Sequence, residues 1–209
     1  MKAINLAQHG DVDDVLELLN ARAKWLKARG SDQWHNFGQK QEQLADVVAA
    51  GRTWLMRDDE TGRPLGTITF TDADADFWTP AEQETPALYL AKLATDPAAS
   101  GQNLGALLLK FALYTAVPPV EEVRFDVWRT ASDLHAYYER QGWTKIRLVE
   151  KPGRFSGALF SRRVVRPRSN VLPSDLVVAP ARALQDPGYR VSRSEGEREH
   201  GGHGIGWLT

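Results

Sequence analysis

Apolar residues fall into two spacings along the chain. Val12, Val15, Leu16, Leu19, Ala23 and Leu26 repeat at helical spacing after Asp11, which predicts a first helix behind a short strand over Lys2 to Ala7. "RGSDQW" breaks that helix, and a second one, about Gln39 to Ala50, turns Leu44, Val47 and Val48 inward and stops at Gly51. "RTWLMRDDETGRPLGTITFTD" reads as two strands around a turn at Gly62 and Pro64. An acidic loop, Asp72 to Pro86, follows. "ALYLAKLATD" has little polar alternation, as expected of a central strand covered on both faces. Leu104, Leu107, Leu108 and Phe111 predict a third helix starting near Asn103 and closed by Pro118 and Pro119.

"EVRFDVW" is the next strand. "TASDLHAYYERQGW" is a helix, with a capping box expected between Thr130 and Asp133 and a stop at Gly142. "TKIRLVE" and "GALFSRRVV" form a last strand pair. From Arg166 the texture turns to Pro, Arg, Ser and Gly, so a domain over 1–165 is expected to carry an extension over 166–209. Alternating strands and helices in the second half require at least one parallel pair with a helical crossover. The early strands look antiparallel, which predicts an α/β fold with a mixed sheet and helices on both faces.

Composition narrows the function. The chain has 209 residues, 42% hydrophobic and 25% charged, and a formal net charge of -1. That balance gives no electrostatic case for nucleic acid or an anionic membrane. No cysteine is present, which excludes disulfides, thiolate metal sites and a cysteine nucleophile. The polar N-terminus lacks a signal-peptide pattern, and no apolar run approaches the roughly 20 residues of a membrane span. A cytoplasmic location is expected.

The candidate chemistry lies in "LATDPAASGQNLGALLL", a strand, a small-residue turn and a helix start. The first N–H groups of a helix lack partners and the helix dipole is positive there, so this is an anion site in outline. Gly101 permits close approach, Gly105 sits where a side chain would obstruct a ligand, and Asn103 tolerates a left-handed backbone. The Lys-Ser/Thr ending of a P-loop is missing. "DADAD" at Asp72 to Asp76 lacks the glycine and twelfth-position acid of a calcium loop. His200 and His203 have no evident third ligand, so no metal site is expected.

This stretch, followed by "AYYERQGW", resembles the GNAT family of acetyl-CoA-dependent N-acetyltransferases. Pro97, Gly101 and Gly105 match the family's pyrophosphate turn, with Ser100 where Arg or Gln is usual and Asn103 where Gly is usual. Tyr138, Glu139, Gly142 and Trp143 match its second motif, with Trp for Phe. "GSDQW" is also similar to a stretch of bacterial members. The resemblance covers about Met1 to Val165 and implies a mixed, mostly antiparallel sheet with one splayed parallel strand pair.

It further implies acetyl-CoA as co-substrate and a small-molecule or peptide amine as acceptor. Leu93, Ala94 and Thr95 would offer backbone N–H groups to the pantetheine and the acetyl carbonyl. Ser100, Gly101, Gln102, Asn103, Leu104, Gly105 and Ala106 would hold the pyrophosphate. Tyr138 would protonate the leaving thiolate, with Tyr137 beside it a core aromatic. Asp126 is one candidate base. Glu82 and Glu84 are others, in an acidic loop that would attract a cationic acceptor. Trp34, Trp78 and Trp128 are candidate pocket walls. The alternative is a non-catalytic acyl-CoA-binding sensor or partner-binding module on the same fold. Ile205, Trp207 and Leu208 at the end of the extension are expected to dock on this chain or on a second copy, as in a homodimer.

Overall fold

The computed structural model describes residues 1–34, 41–165 and 176–178. Eight strands form one sheet: β1 Lys2–Leu6, β2 Thr53–Asp58, β3 Pro64–Thr71, β4 Ala87–Thr95, β5 Glu122–Trp128, β6 Thr144–Leu148, β7 Ser156–Arg163 and β8 Leu176–Val178, in the spatial order β6-β7-β5-β4-β3-β2-β1-β8. The helices are α1 Val12–Ala28, α2 Gln41–Ala49, α3 Pro80–Gln83, α4 Leu104–Thr115 and α5 Ser132–Arg140. β4 is central, and its pairing with β5 is parallel, because α4 returns the chain across the sheet. The other ladders among β1 to β7 are antiparallel. β8 pairs parallel with β1, and its Leu176 is buried, so the expected extension contributes an edge strand to the sheet. His200, His203, Ile205, Trp207 and Leu208 lie outside the described residues.

One face of the sheet carries α4 and α5. Leu104, Leu107, Leu108 and Phe111 of α4 pack with Ile68, Phe70, Leu88, Leu90, Phe125 and Tyr138 in one buried cluster. The other face carries α1 and α2, whose Val15, Leu19, Leu44 and Val48 pack with Leu55, Ala94 and Trp128. Each fully buried aliphatic side chain of these sets contributes about 1.5–3 kcal/mol of transfer free energy. Farther along that face, Phe77, Trp78, Tyr89 and Leu159 form a third cluster under the α3 segment. No helix among the described residues is long and apolar enough to cross a membrane.

Two local expectations differ from the structure. The acidic loop contains a helix, α3, whose Thr79 and Glu82 form a capping box. Thr130 and Asp133 form none: α5 has no side-chain cap, and the Thr130 hydroxyl donates to the Asp32 carboxylate at 3.2 Å. A distant acceptor wins because Asp32 already receives the Trp128 indole N–H at 2.7 Å and stands beside Thr130.

Candidate active site

The site starts from a defect in the sheet. β4 and β5 pair from Ala87↔Glu122 to Leu90↔Phe125 and no farther, although β4 runs on to Thr95 and β5 to Trp128. The register of β3 against β4 slips between Thr67 and Thr69, where Thr67 faces Ala94 and Thr69 faces Ala91. Lys92, in that slip, has φ 50°. A bulge of this kind bends and twists its strand, here away from β5. The Lys92 side chain is buried, and burial pulls its ammonium down to about 8. Beyond the slip, Arg22 of α1 donates to the Thr95 carbonyl from Nε (3.0 Å) and Nη2 (2.6 Å) and to the Thr95 hydroxyl (2.5 Å). These bonds hold the end of β4 toward α1.

The chain then enters a tight turn. Asp96 accepts the Ala98 N–H at 2.9 Å, and Pro97–Ala99 makes a single 3-10 turn. Gly101 has φ 86° and Asn103 φ 55°, both left-handed. Asn103 thereby takes a conformation that glycine adopts freely. The first α4 bond runs from the Leu107 N–H to the Asn103 carbonyl at 3.1 Å, so the N–H groups of Leu104, Gly105 and Ala106 have no intrahelical acceptor. The two glycines serve different ends. A Cβ at Gly101 would meet nothing within 4 Å, so its conformation is what demands glycine there. A Cβ at Gly105 would stand 3.3 Å from the Tyr137 hydroxyl, so that glycine makes room for a tyrosine.

A cleft of about 670 Å³ opens here. Leu93, Ala94, Thr95, Ser100, Gly101, Gln102, Asn103, Leu104 and Gly105 line one side, so the structure brings these expected cofactor residues together; Ala106 follows Gly105 in α4 and does not line the cleft. α1 supplies the opposite wall with Arg22, Trp25 and Arg29, and α5 adds Asp133, Leu134, Tyr137 and Tyr138. From the floor a narrow cavity of about 40 Å³ continues between β4 and β5 to Asp126, past Leu90, Ala91 and Phe125. Trp34 and Tyr138 border both spaces. A separate open hollow of about 590 Å³, beside His9, Asp13 and Gln41, does not touch the splay.

α5 is held to the end of β5 by His135, whose Nε2 is hydrogen-bonded to the Trp128 carbonyl at 2.8 Å. That contact sets Tyr138 edge-on against Phe125, with ring centroids 4.8 Å apart. Tyr138 is buried, and burial, reinforced by Tyr137, pushes its hydroxyl well above the usual tyrosine range. It is a protonated donor at neutral pH. Tyr137, expected to be core, is only half-buried and faces the cleft. Asp126 is 3% exposed and closes the narrow cavity.

Four expected site residues stand elsewhere. Glu82 is engaged by Arg147 through both carboxylate oxygens and caps Thr79, and these bonds hold its carboxyl at about 2, far too acidic for a base. Glu84 is exposed at the end of α3 and borders neither space. Trp78 is buried beneath the Arg124 guanidinium, 4.6 Å from its ring centroid, and packs edge-on to Tyr89. Trp128 is fixed by Asp32 and stacks on Phe155 at 5.3 Å. The acidic loop is not a free anionic surface either. Asp72 pairs with Arg52, Asp76 with Arg154 and Lys151, and Glu82 with Arg147. Sequence reasoning also missed Arg22, Trp25 and Arg29. Their spacing puts them on one face of α1, and that cationic, aromatic stripe was the signal available.

Known proteins share the domain and the fold. A family profile described as an acetyltransferase (GNAT) domain matches residues 49–145. An uncharacterized N-acetyltransferase of Bacillus subtilis, YesJ, is 28% identical over 146 residues, which covers 66% of this chain and 78% of that protein. A GNAT-family acetyltransferase structure from Listeria monocytogenes superimposes with a TM-score of 0.63 at 22% identity, covering 77% of this chain and 93% of the other. The PaiA N-acetyltransferase of Thermoplasma acidophilum, crystallised with coenzyme A, gives a TM-score of 0.58 at 15% identity, covering 78% and 99%. With the splayed strand pair, the turn and the tyrosine motif in one cleft, the chain has the fold of the GNAT acetyltransferases, and its residues 49–145 match their domain.

Proposed function

We propose that the protein is an N-acetyltransferase that moves the acetyl group of acetyl-CoA directly to a primary amine. The observation that carries this reading is the splay: an open cleft at the α4 N-terminus narrows between β4 and β5 to a buried carboxylate, with Tyr138 where the two spaces meet. The cleft volume suits a cofactor-sized ligand. The N–H groups of Leu104 to Ala106 fit a phosphate, and the unpaired edge of Leu93 to Thr95 fits the amide-rich pantetheine arm. PaiA, a fold neighbour, binds coenzyme A in its crystal.

The residues then divide the work. The backbone of Leu93 to Thr95 orients the thioester and polarises its carbonyl, as fixed dipoles do in oxyanion sites. Asp126 accepts a proton from the incoming ammonium, leaving a neutral amine to attack the carbonyl carbon. A C–N bond forms, the C–S bond breaks, the sulfur leaves with the electron pair, and the nitrogen releases its second proton to solvent through the cleft. Tyr138 donates a hydrogen bond to that sulfur and keeps its own proton. Its raised pKa makes it a weaker acid than an ordinary thiol (about 8.5), so it acts mainly as a hydrogen-bond donor to the forming thiolate. The narrow cavity admits the reacting atoms alone, which favours unhindered primary amines.

The test is release of free thiol from acetyl-CoA with a panel of primary amines. Amine-dependent release that Asp126→Asn reduces by about 100-fold or more is expected. Donor binding without amine-dependent release would point to the acyl-CoA-binding alternative.

A further inference from the structure

The turn that faces the proposed diphosphate site carries no cation. From Pro97 to Leu109 there is no Lys or Arg, and Ser100 stands at the position where the family resemblance leads one to expect a charged or amide side chain. Asp96, next to the turn, is paired with Arg63 outside the cleft. Unpaired N–H groups and a helix dipole of about half a charge leave most of a diphosphate's charge uncompensated. Among the described residues lining the cleft, the cations are Arg22 and Arg29, both on the α1 wall. The α5 side presents an acid, Asp133.

The α1 wall is a built unit. Both guanidinium groups lie against the Trp25 ring, Arg29 at 3.7 Å and Arg22 at 4.9 Å from its centroid. Contacts of this type orient an arginine and leave its N–H fork available. Arg22 is partly buried, and burial is the largest influence on its guanidinium, lowering its pKa. Among the described residues its hydrogen bonds reach the neutral oxygens of Thr95, and Asp96 nearby acts on it through charge without a hydrogen bond. A partly desolvated cation bonded to neutral oxygens gains strongly from an anion arriving in the cleft. Arg29 stands at the C-cap of α1, exposed toward the same space.

We infer that Arg29, with Arg22 behind it, supplies from α1 the cationic contact to the phosphates of the donor that the turn lacks, so that the ligand is clamped between the α4 N-terminus and the Arg22–Trp25–Arg29 stripe. This rests on the proposed function and adds a phosphate-binding wall to it. It assigns Arg29 to donor affinity and not to the acceptor. Arg22 has a second duty, holding Thr95, so Arg29 is the cleaner probe.

The test compares two donors on the whole protein: acetyl-CoA, and S-acetylpantetheine, which has the thioester arm and no phosphate. Arg29→Ala is expected to weaken acetyl-CoA binding by about 10-fold or more, the usual scale for a charged hydrogen bond. S-acetylpantetheine binding should stay unchanged. Arg29→Lys should recover only part of the loss, because a point charge replaces the fork. The salt dependence of acetyl-CoA binding should flatten in Arg29→Ala. Equal losses for both donors, no loss for either, or an effect confined to the KM of the amine would overturn the inference while leaving the proposed function standing. Failure of the unaltered protein to bind acetyl-CoA would overturn both.

Discussion

Gly105→Ala separates what the fold needs from what the ligand needs. Gly105 is the second residue of α4, in ordinary helical backbone, where alanine is favoured over glycine by up to about 1 kcal/mol. The added Cβ would lie 3.3 Å from the Tyr137 hydroxyl, tighter than comfortable contact, so the phenol must give way by a few tenths of an ångström. It is the free end of a half-buried side chain, so the strain should take back only about half of the gain. The net is about 0.5 kcal/mol of added stability, or about 1–2 °C in Tm. The displaced phenol moves along the cleft wall, beside the unpaired N–H groups of α4. Acetyl-CoA affinity should therefore fall by about 3- to 10-fold, the equivalent of roughly 1 kcal/mol. Calorimetric titration and a melting curve on one sample read both quantities. Tyr137→Phe in the same background removes the clashing oxygen and should restore the affinity. If the double variant binds as weakly as Gly105→Ala, the methyl group itself meets the ligand and the reasoning through Tyr137 fails.

Other consequences are equally concrete. Tyr138→Phe should lower turnover by about 10- to 100-fold with donor affinity unchanged; a matching loss in Tyr137→Phe would move the role to the neighbour. Because burial raises the Tyr138 pKa, its proton is retained as pH rises, and its ionisation should produce no fall in rate below about pH 10. Glu82 is held at about 2 in the fold against an ordinary value near 4.5, so its bonds to Arg147 and Thr79 stabilise above that ordinary value and are lost as pH falls toward 2. With solvent screening the contribution is about 1 kcal/mol, and Glu82→Gln should flatten the acid limb of urea-unfolding stability. Gly157 has φ 125°, and a Cβ there would lie 2.3 Å from the Val149 carbonyl oxygen. Gly157→Ala should cost more than about 3 kcal/mol, and a loss below 1 kcal/mol in denaturant titration would show that the β6–β7 hairpin relaxes.

What the sequence made legible follows from the range of the forces involved. α4 and its turn were readable because periodicity, glycine and a left-handed asparagine are local signals, and Asn103 indeed has φ 55°. The splay was implied only by resemblance, since a strand that continues unpaired looks like one that pairs. Glu82 looked free because its partner, Arg147, lies far along the chain and is brought close only by the sheet. Thr130 looked like a cap because Asp133 is near in sequence, whereas Asp32 is near in space. The two adjacent tyrosines could not be ranked by helix phase alone. Tyr138 is buried against Phe125 while Tyr137 faces the cleft, and β5 decides between them. The three residues of β8 were too short a signal within a Pro- and Arg-rich segment.

The central claim is that the β4–β5 splay holds the donor thioester under Tyr138. A crystal structure with a non-reactive acetyl-CoA analogue tests it most directly. The account predicts a diphosphate on the N–H groups of Leu104 to Ala106, a pantetheine arm along Leu93 to Thr95, and the sulfur position within hydrogen-bonding reach of the Tyr138 hydroxyl. An analogue lodged in the hollow beside His9 and Gln41, or a sulfur position out of reach of Tyr138 with the splay empty, would contradict it.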